Sequence, residues 1–101
     1  MIKWIILSQD IIEGFWDKNT NTERLVDIIT LDKFKKIEGN VISFNKGKNE
    51  NKIIYTILVI YYLKTKCNKD LDKYKLVINK AEKFLQKNGI NYEDFIKNIF
   101  D

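Results

Sequence analysis

The sequence feature that most constrains the fold is an almost uninterrupted apolar run from Ile53 to Leu63. Its large side chains fall on every side of a helix, which is typical of a helix surrounded by other elements. The many β-branched residues also suit a strand, but strands usually span about 4–8 residues, so the length of the run favours a helix. We predict a buried central helix over residues 52–66 with Asn51 as its N-cap. The run is about half as long as a membrane-spanning helix, which needs about 20 apolar residues.

Apolar residues at helical spacing predict further helices before this run. The expected segments are residues 2–12, a helix capped by Thr22, and a short helix over residues 31–37. Gly14 breaks the first pattern, so Phe15 and Trp16 are expected to lie in a turn. Residues 38–51 are predicted to form a polar loop, in which the apolar residues 41–44 form a strand, a helical turn or, as we favour, a plug on the core.

The clearest amphipathic pattern follows the central run. Asn68 or Asp70 is expected to begin this helix, and Gly89 to end it as a C′ glycine. Asn91 is the expected cap of a last helix. With 101 residues the chain allows one domain. We therefore predict an all-α fold, a compact bundle of five or six helices around the central one.

The residue types argue against catalysis and metal binding. The chain has no His, and Cys67 is its one Cys, so the commonest general base and metal ligand are absent and no zinc site is expected. The glycines lie too far apart for a phosphate-binding loop. We therefore expect no enzyme activity, no cofactor, no metal and no small-molecule substrate. A lone Cys and the lack of a signal peptide indicate a cytoplasmic protein.

The net charge of +4 is a modest basic excess. Lys residues are spread along the chain and Arg24 is the one Arg. Arg is favoured for bidentate contacts to bases and phosphates, so this composition gives weak support to nucleic-acid binding.

Thirteen aromatic residues exceed what so small a core is expected to bury completely. Those at turns are candidate anchors for a protein partner, because buried aromatic side chains dominate interface energetics. We assign Phe15, Trp16 and Phe44 this role, although each also suits the core. Lys73 and Lys80, on the helix from Asp70 to Lys87, would attract an acidic partner surface.

Two stretches of the chain carry a family resemblance. They are Ile6-Leu7-Ser8-Gln9 with Glu13-Gly14-Phe15-Trp16, and Ile54 to Leu63 with Tyr74, Val77, Lys80-Ala81 and Phe84-Leu85. Together they resemble the C-terminal helical domain of proteins with a vault/inter-α-trypsin (VIT) domain followed by a von Willebrand factor A domain. The chain is particularly similar to the major-vault-protein interaction domain of vault poly(ADP-ribose) polymerases. The resemblance covers roughly residues 4–88.

The family's first motif reads Leu-Gln, two variable residues and Asp-Gly-x-Trp. Here Glu13 takes the place of the Asp, and either Gln9 with a longer turn or Asp10 takes the place of the Gln. Gly14 would permit a turn with positive φ, and Trp16 would fold under the first helix and lock it to the next. Gly14 and Trp16 are therefore expected to determine the fold.

The resemblance implies a single helical interaction domain over residues 1–101, the C-terminal part of a longer protein. It would bind major vault protein and target its parent protein as cargo to vault particles. One alternative is a structural domain that packs against the von Willebrand factor A domain of the same chain. A less favoured one is nucleic-acid binding through the lysines between Lys64 and Lys87.

Overall fold

The computed structural model describes the backbone of residues 2–45 and 49–100, and the side chains of residues 4–43 and 49–100. Six helices account for most of these residues, and no strand occurs among them, so the predicted all-α bundle is confirmed. The helices are α1 (Ile2–Leu7), α2 (Thr20–Ile29), α3 (Leu31–Asn45), α4 (Glu50–Lys66), α5 (Leu71–Lys87) and α6 (Tyr92–Phe100). A short 3₁₀ turn, Asn68–Asp70, leads into α5.

Helix α4 is the predicted central helix, and every side chain from Ile53 to Ile60 is buried. It packs against α2, α3 and α5, which explains why it is apolar on all sides. The predicted cap was wrong, because α4 begins earlier, at Glu50. Asn49 precedes it in the left-handed conformation, with φ of 58°, and its side chain makes no capping hydrogen bond.

Helix α3 corrects the prediction of a short helix followed by a loop, since it runs from Leu31 through Gly39 to Asn45. Phe34, Ile37 and Val41 lie three and four residues apart and are all buried, so the core-facing stripe continues past the glycine. Val41 therefore reaches the core from a helix. The side chain of Phe44 lies outside the described residues, as do residues 46–48 of the predicted loop.

The structure corrects the N-cap of α2 from Thr22 to Asn19. The side chain of Asn19 accepts hydrogen bonds from the backbone N–H of Asn21 and Thr22, and Thr22 Oγ1 in turn accepts from the Asn19 N–H at 2.9 Å. This reciprocal pair is a capping box, so Thr22 serves as its third helical residue.

The predicted signals around α5 and α6 are confirmed. Gly89, with φ of 81°, follows the end of α5. The N–H of Ile90 bonds to the carbonyl of Leu85 and that of Gly89 to the carbonyl of Gln86, which is a Schellman motif. Asn91 caps α6 by accepting a hydrogen bond from the Asp94 N–H at 3.0 Å.

Helix α1 ends at Leu7, and its predicted extension to residue 12 was wrong. Residues 8–19, here called the linking segment, then cross the bundle without regular structure before α2 begins. None of the helices in the described ranges is long and apolar enough to cross a membrane.

Candidate functional site

Trp16 fastens the linking segment to the core. Its side chain is completely buried, and its indole Nε1 donates a hydrogen bond to the carbonyl of Ile5 at 2.7 Å. Its backbone N–H donates to Thr56 Oγ1 on α4 at 2.8 Å. Trp16 thus joins α1 to the central helix and leaves no surface for a partner, so its assignment as an interface anchor is corrected to an internal role.

Gly14 brings the linking segment into direct contact with α5. Its φ is 87°, a backbone conformation that residues with a Cβ rarely adopt. A Cβ placed here would also lie 2.6 Å from Lys80 Cγ and 2.9 Å from the Lys80 carbonyl oxygen. No other residue fits this position without displacing the backbone of α5.

Gln9 and Asp10 hold the same contact in different ways. The amide Nε2 of Gln9 donates to the carbonyls of Gly14 at 2.8 Å and of Val77 on α5 at 3.0 Å. Asp10 stays within the turn, where its Oδ2 accepts from the N–H of Glu13 at 2.6 Å. Gln9 therefore ties the segment to α5, and Asp10 shapes the turn itself.

The turn formed by residues 10–15 exposes two isoleucines to solvent. The Asp10 N–H donates to the carbonyl of Phe15 and the Gly14 N–H to that of Asp10, which closes residues 10–15 into a tight reversal. Ile11 and Ile12 stand at its tip and are 84% and 86% exposed. The ammonium of Lys80 donates to the carbonyl of Ile11, which fixes this tip over α5.

Two further exposed aliphatic side chains belong to the helices that precede or contact this turn. Leu7, at the end of α1, is 80% exposed, and Leu76, one turn before Lys80 on α5, is 83% exposed. We call Leu7, Ile11, Ile12 and Leu76 the apolar patch. Single exposed aliphatic residues are ordinary, whereas a contiguous group of them is typical of an interaction site.

The other residues assigned to partner binding lie in different settings. Phe15 is half-buried, with its ring centroid 5.2 Å from that of Phe84 and with the Lys52 ammonium 4.5 Å from its own centroid. Lys73 is exposed and lies 3.6 Å from Asp70, whereas Lys80 is exposed but engaged with the turn. The structure thus places Lys80 beside the patch, whereas Phe15 packs against Phe84.

Sequence reasoning missed the apolar patch. Ile11 and Ile12 continue the helical spacing of α1, so the sequence predicts that they belong to that helix. Leu76 did carry a signal, since it lies off the core-facing positions of α5, which include Ile78, Ala81 and Leu85. A leucine among lysines on a polar helix face has no packing role inside its own domain.

Three tyrosines in the described part of the chain have raised pKa values. Burial, followed by interactions with Cys67 and Tyr74, raises the pKa of Tyr62 to about 12. Burial likewise raises the pKa of Tyr55 and of Tyr92, with smaller contributions from nearby carboxylates and, at Tyr92, from Tyr61. These three phenols stay protonated at neutral pH. No group of three or more potential metal ligands occurs among the residues described.

A separate cleft of about 550 Å³ opens between α3 and α6. Its lining mixes side-chain amides and a carboxylate with apolar groups, and includes Asn40, Asn91, Asp94, Asn98, Phe95 and Ile99. Asn91 and Asn40 already bond within the fold, to the Asp94 N–H and the Lys36 carbonyl respectively. The apolar patch is therefore the stronger candidate site.

No family model, no curated protein and no solved structure matches the chain.

Proposed function

We propose that this chain is a non-catalytic protein-interaction domain whose partner docks on the apolar patch. The observation that carries the proposal is the exposure of Leu7, Ile11, Ile12 and Leu76, each at least 80% accessible to solvent. Covering such side chains is favourable by about 25 cal/mol for each Å² of apolar surface removed from water. The turn is rigidly held, so little conformational freedom would be lost on binding.

For the partner itself we propose major vault protein, with the chain targeting its parent protein as cargo to vault particles. This identity rests on the sequence resemblance. The Gly-x-Trp element of that resemblance forms a turn with positive φ at Gly14, followed by the buried Trp16. The turn that this motif builds is also the one that presents Ile11 and Ile12.

The test is calorimetric titration of the chain into the N-terminal repeat region of major vault protein at physiological salt. We expect saturable one-site binding by the wild type, and a loss of at least about tenfold in affinity for Ile11→Ser/Ile12→Ser. A matched control is Leu31→Ser/Ile42→Ser, which removes two exposed aliphatic side chains from α3, where they are 53% and 46% exposed. Equal weakening by both variants would show that the patch is not the docking surface.

The alternative function is a structural domain that covers the same patch by packing against a preceding von Willebrand factor A domain. It predicts no binding to major vault protein in the titration. It also predicts that the isolated chain binds a hydrophobic dye through the patch, with weaker dye fluorescence for Ile11→Ser/Ile12→Ser. Absence of heat together with this loss of fluorescence would favour the structural domain.

A further inference from the structure

Helix α5 turns a continuous stripe of five residues away from the core. The residues are Lys73, Leu76, Lys80, Lys83 and Lys87, and all are exposed. Their spacing of three, four, three and four residues places them on one face of the helix. Ile78, Ala81 and Leu85 lie on the other side of the helix and are buried, and Phe84 is buried at the edge of the stripe. We call these five residues the lysine stripe.

The segment that contains the lysine stripe carries most of the net charge of the chain. The segment 68–87 contains six Lys against three acidic residues, a net +3 out of the total +4. Two of those acidic residues form ion pairs, since Asp70 lies 3.6 Å from Lys73 and Glu82 lies 3.6 Å from Lys64. In the part of the chain that the structure describes, Lys83 and Lys87 have no ion-pair partner.

The stripe and the apolar patch share Leu76 and are joined at Lys80. Lys80 belongs to the stripe, and its ammonium holds the carbonyl of Ile11 in the patch. A surface groove of about 410 Å³ lies along the same side of α5, lined by Leu76, Asn79, Lys80, Glu82, Lys83 and Gln86. Leu76 and the cationic side chains of Lys80 and Lys83 therefore line one groove, and Lys80 also contacts the turn that carries Ile11 and Ile12.

We propose that this surface binds an acidic amphipathic helix of a partner protein. The inference rests on the proposed function, and it names the chemistry of the partner. Leucine-like side chains of that helix would cover Leu76, Ile11 and Ile12, and its Glu or Asp residues would face Lys83 and Lys87. From Lys73 to Lys87 the stripe extends over about 21 Å, at about 1.5 Å for each residue, which corresponds to roughly four helical turns.

The aliphatic residues favour a protein helix over a nucleic acid. Phosphates and sugars supply most contacts at protein–nucleic acid interfaces, and they leave exposed leucine and isoleucine side chains without apolar partners. A second copy of the chain is disfavoured by charge, because pairing the same surfaces would bring two regions of net +3 together.

The experiment uses two designed peptides of about 18 residues, long enough to form a capped helix. Both carry Leu at i, i+3 and i+7, flanked in one by Glu and in its twin by Lys. Each is titrated into the full chain at about 0.15 M salt, and binding is followed by fluorescence anisotropy and by amide chemical shifts. We expect the Glu peptide to bind at least about tenfold more tightly than its twin. The shifts should be largest at residues 7–14 and 73–87.

Two charge variants locate the site. Lys83→Glu/Lys87→Glu alters the stripe, and Lys35→Glu/Lys36→Glu alters two exposed lysines of α3. Both lower the net charge by four, so they differ only in position. The stripe variant should lose about tenfold in affinity for the Glu peptide, and the α3 variant should retain most of it. Circular dichroism and thermal melting verify that both remain folded.

Three results would overturn the proposal. They are equal binding of the Glu and Lys peptides, equal weakening by the two charge variants, and tighter binding of a short DNA duplex than of the Glu peptide at the same salt. Equal peptide binding with shifts confined to the patch would leave the docking function intact and remove only the acidic preference. Peptide-induced shifts elsewhere on the fold would count against both.

Discussion

Residues 10–13 and residues 14–17 belong to the same linking segment, yet they lie in opposite environments. Trp16 is completely buried and hydrogen-bonded to α1 and α4, whereas Ile11 and Ile12, five and four residues earlier, are more than 80% exposed. Apolar character does not separate the two halves, since isoleucine suits a core as well as tryptophan does. The difference arises from the backbone hydrogen bonds of residues 10–15, which point one half inward and the other outward.

This comparison teaches that the buried half holds the exposed half in position. Gly14 packs against the backbone of Lys80, and Lys80 in turn bonds to the carbonyl of Ile11. Residues 14–17 therefore contribute to the stability of the fold, whereas residues 10–13 hold two isoleucine side chains exposed at the surface. Substitutions in the buried half should unfold or loosen the domain, and substitutions in the exposed half should change binding alone.

The largest expected effect is that of Trp16→Ala. Removing a fully buried indole creates a cavity and leaves the carbonyl of Ile5 without its partner, so we expect a loss of about 3–5 kcal/mol in the free energy of unfolding. Urea denaturation measures this loss. Trp4→Ala is the control, because Trp4 is only partly buried and should cost less. If Trp16→Ala fails to fold, Trp16→Phe keeps an aromatic ring but loses the indole N–H. This variant should still unfold at a lower urea concentration than the wild type.

Gly14→Ala is expected to cost about 2–4 kcal/mol, through a positive φ and a clash with the carbonyl of Lys80. Gly39→Ala is the matched control, because Gly39 lies inside α3 and an added Cβ there meets nothing within 4 Å. That control should stabilise the domain by about 0.5–1 kcal/mol. Thermal melting of the two variants measures whether Gly14→Ala lowers the melting temperature while Gly39→Ala raises it. A neutral Gly14→Ala would contradict the close approach of the turn to α5.

Thr56→Val tests the hydrogen bond that anchors the buried half to α4. The substitution keeps the shape of the side chain but leaves the N–H of Trp16 buried without an acceptor, so we expect a cost of about 1–3 kcal/mol. Thr65→Val on the same helix removes an exposed hydroxyl that bonds to the carbonyl of Tyr61. Since that position is open to water, its effect should stay within about 0.5 kcal/mol. Chemical denaturation should separate the two valine variants.

The smallest expected effect on stability is that of Ile11→Ser/Ile12→Ser. Both side chains are exposed, so the change in the free energy of unfolding should remain within about 0.5 kcal/mol. The same variant should lose binding, as described above. A loss of more than about 1 kcal/mol would mean that the two isoleucines serve the core, and it would remove the distinction between the halves of the segment.

The elements fixed by local chemistry were predictable from sequence. Helix α4 is apolar on all faces, and Gly89 and Asn91 carry the standard end and start signals of α5 and α6. Helix α3 was predicted too short because Gly39 and its polar neighbours resemble a loop, although the spacing of Phe34, Ile37 and Val41 continues the helical pattern. Here tertiary burial outweighed local propensity.

The candidate site depended on contacts that sequence spacing does not encode. Ile11 and Ile12 fit the period of α1, and the chain leaves that period because Gln9 bonds to Val77 and Gly14 meets Lys80, both far away in sequence. The alternation of Lys73, Lys80, Lys83 and Lys87 with Leu76 was visible in the sequence. Its connection with the apolar patch depends on the turn, which lies against the same helix.

The tie between Gln9 and Val77 also bears on how the domain is made. Its partners are 68 residues apart, so the linking segment has no native contact with α5 until the ribosome has synthesised that helix. At about 5–20 residues per second, this interval lasts roughly 3–14 s. The partners of Trp16, Ile5 and Thr56, are synthesised before α5, so the inward half of the segment can be anchored earlier. The contacts of the linking segment with α5 are thus among the last that the growing chain can complete.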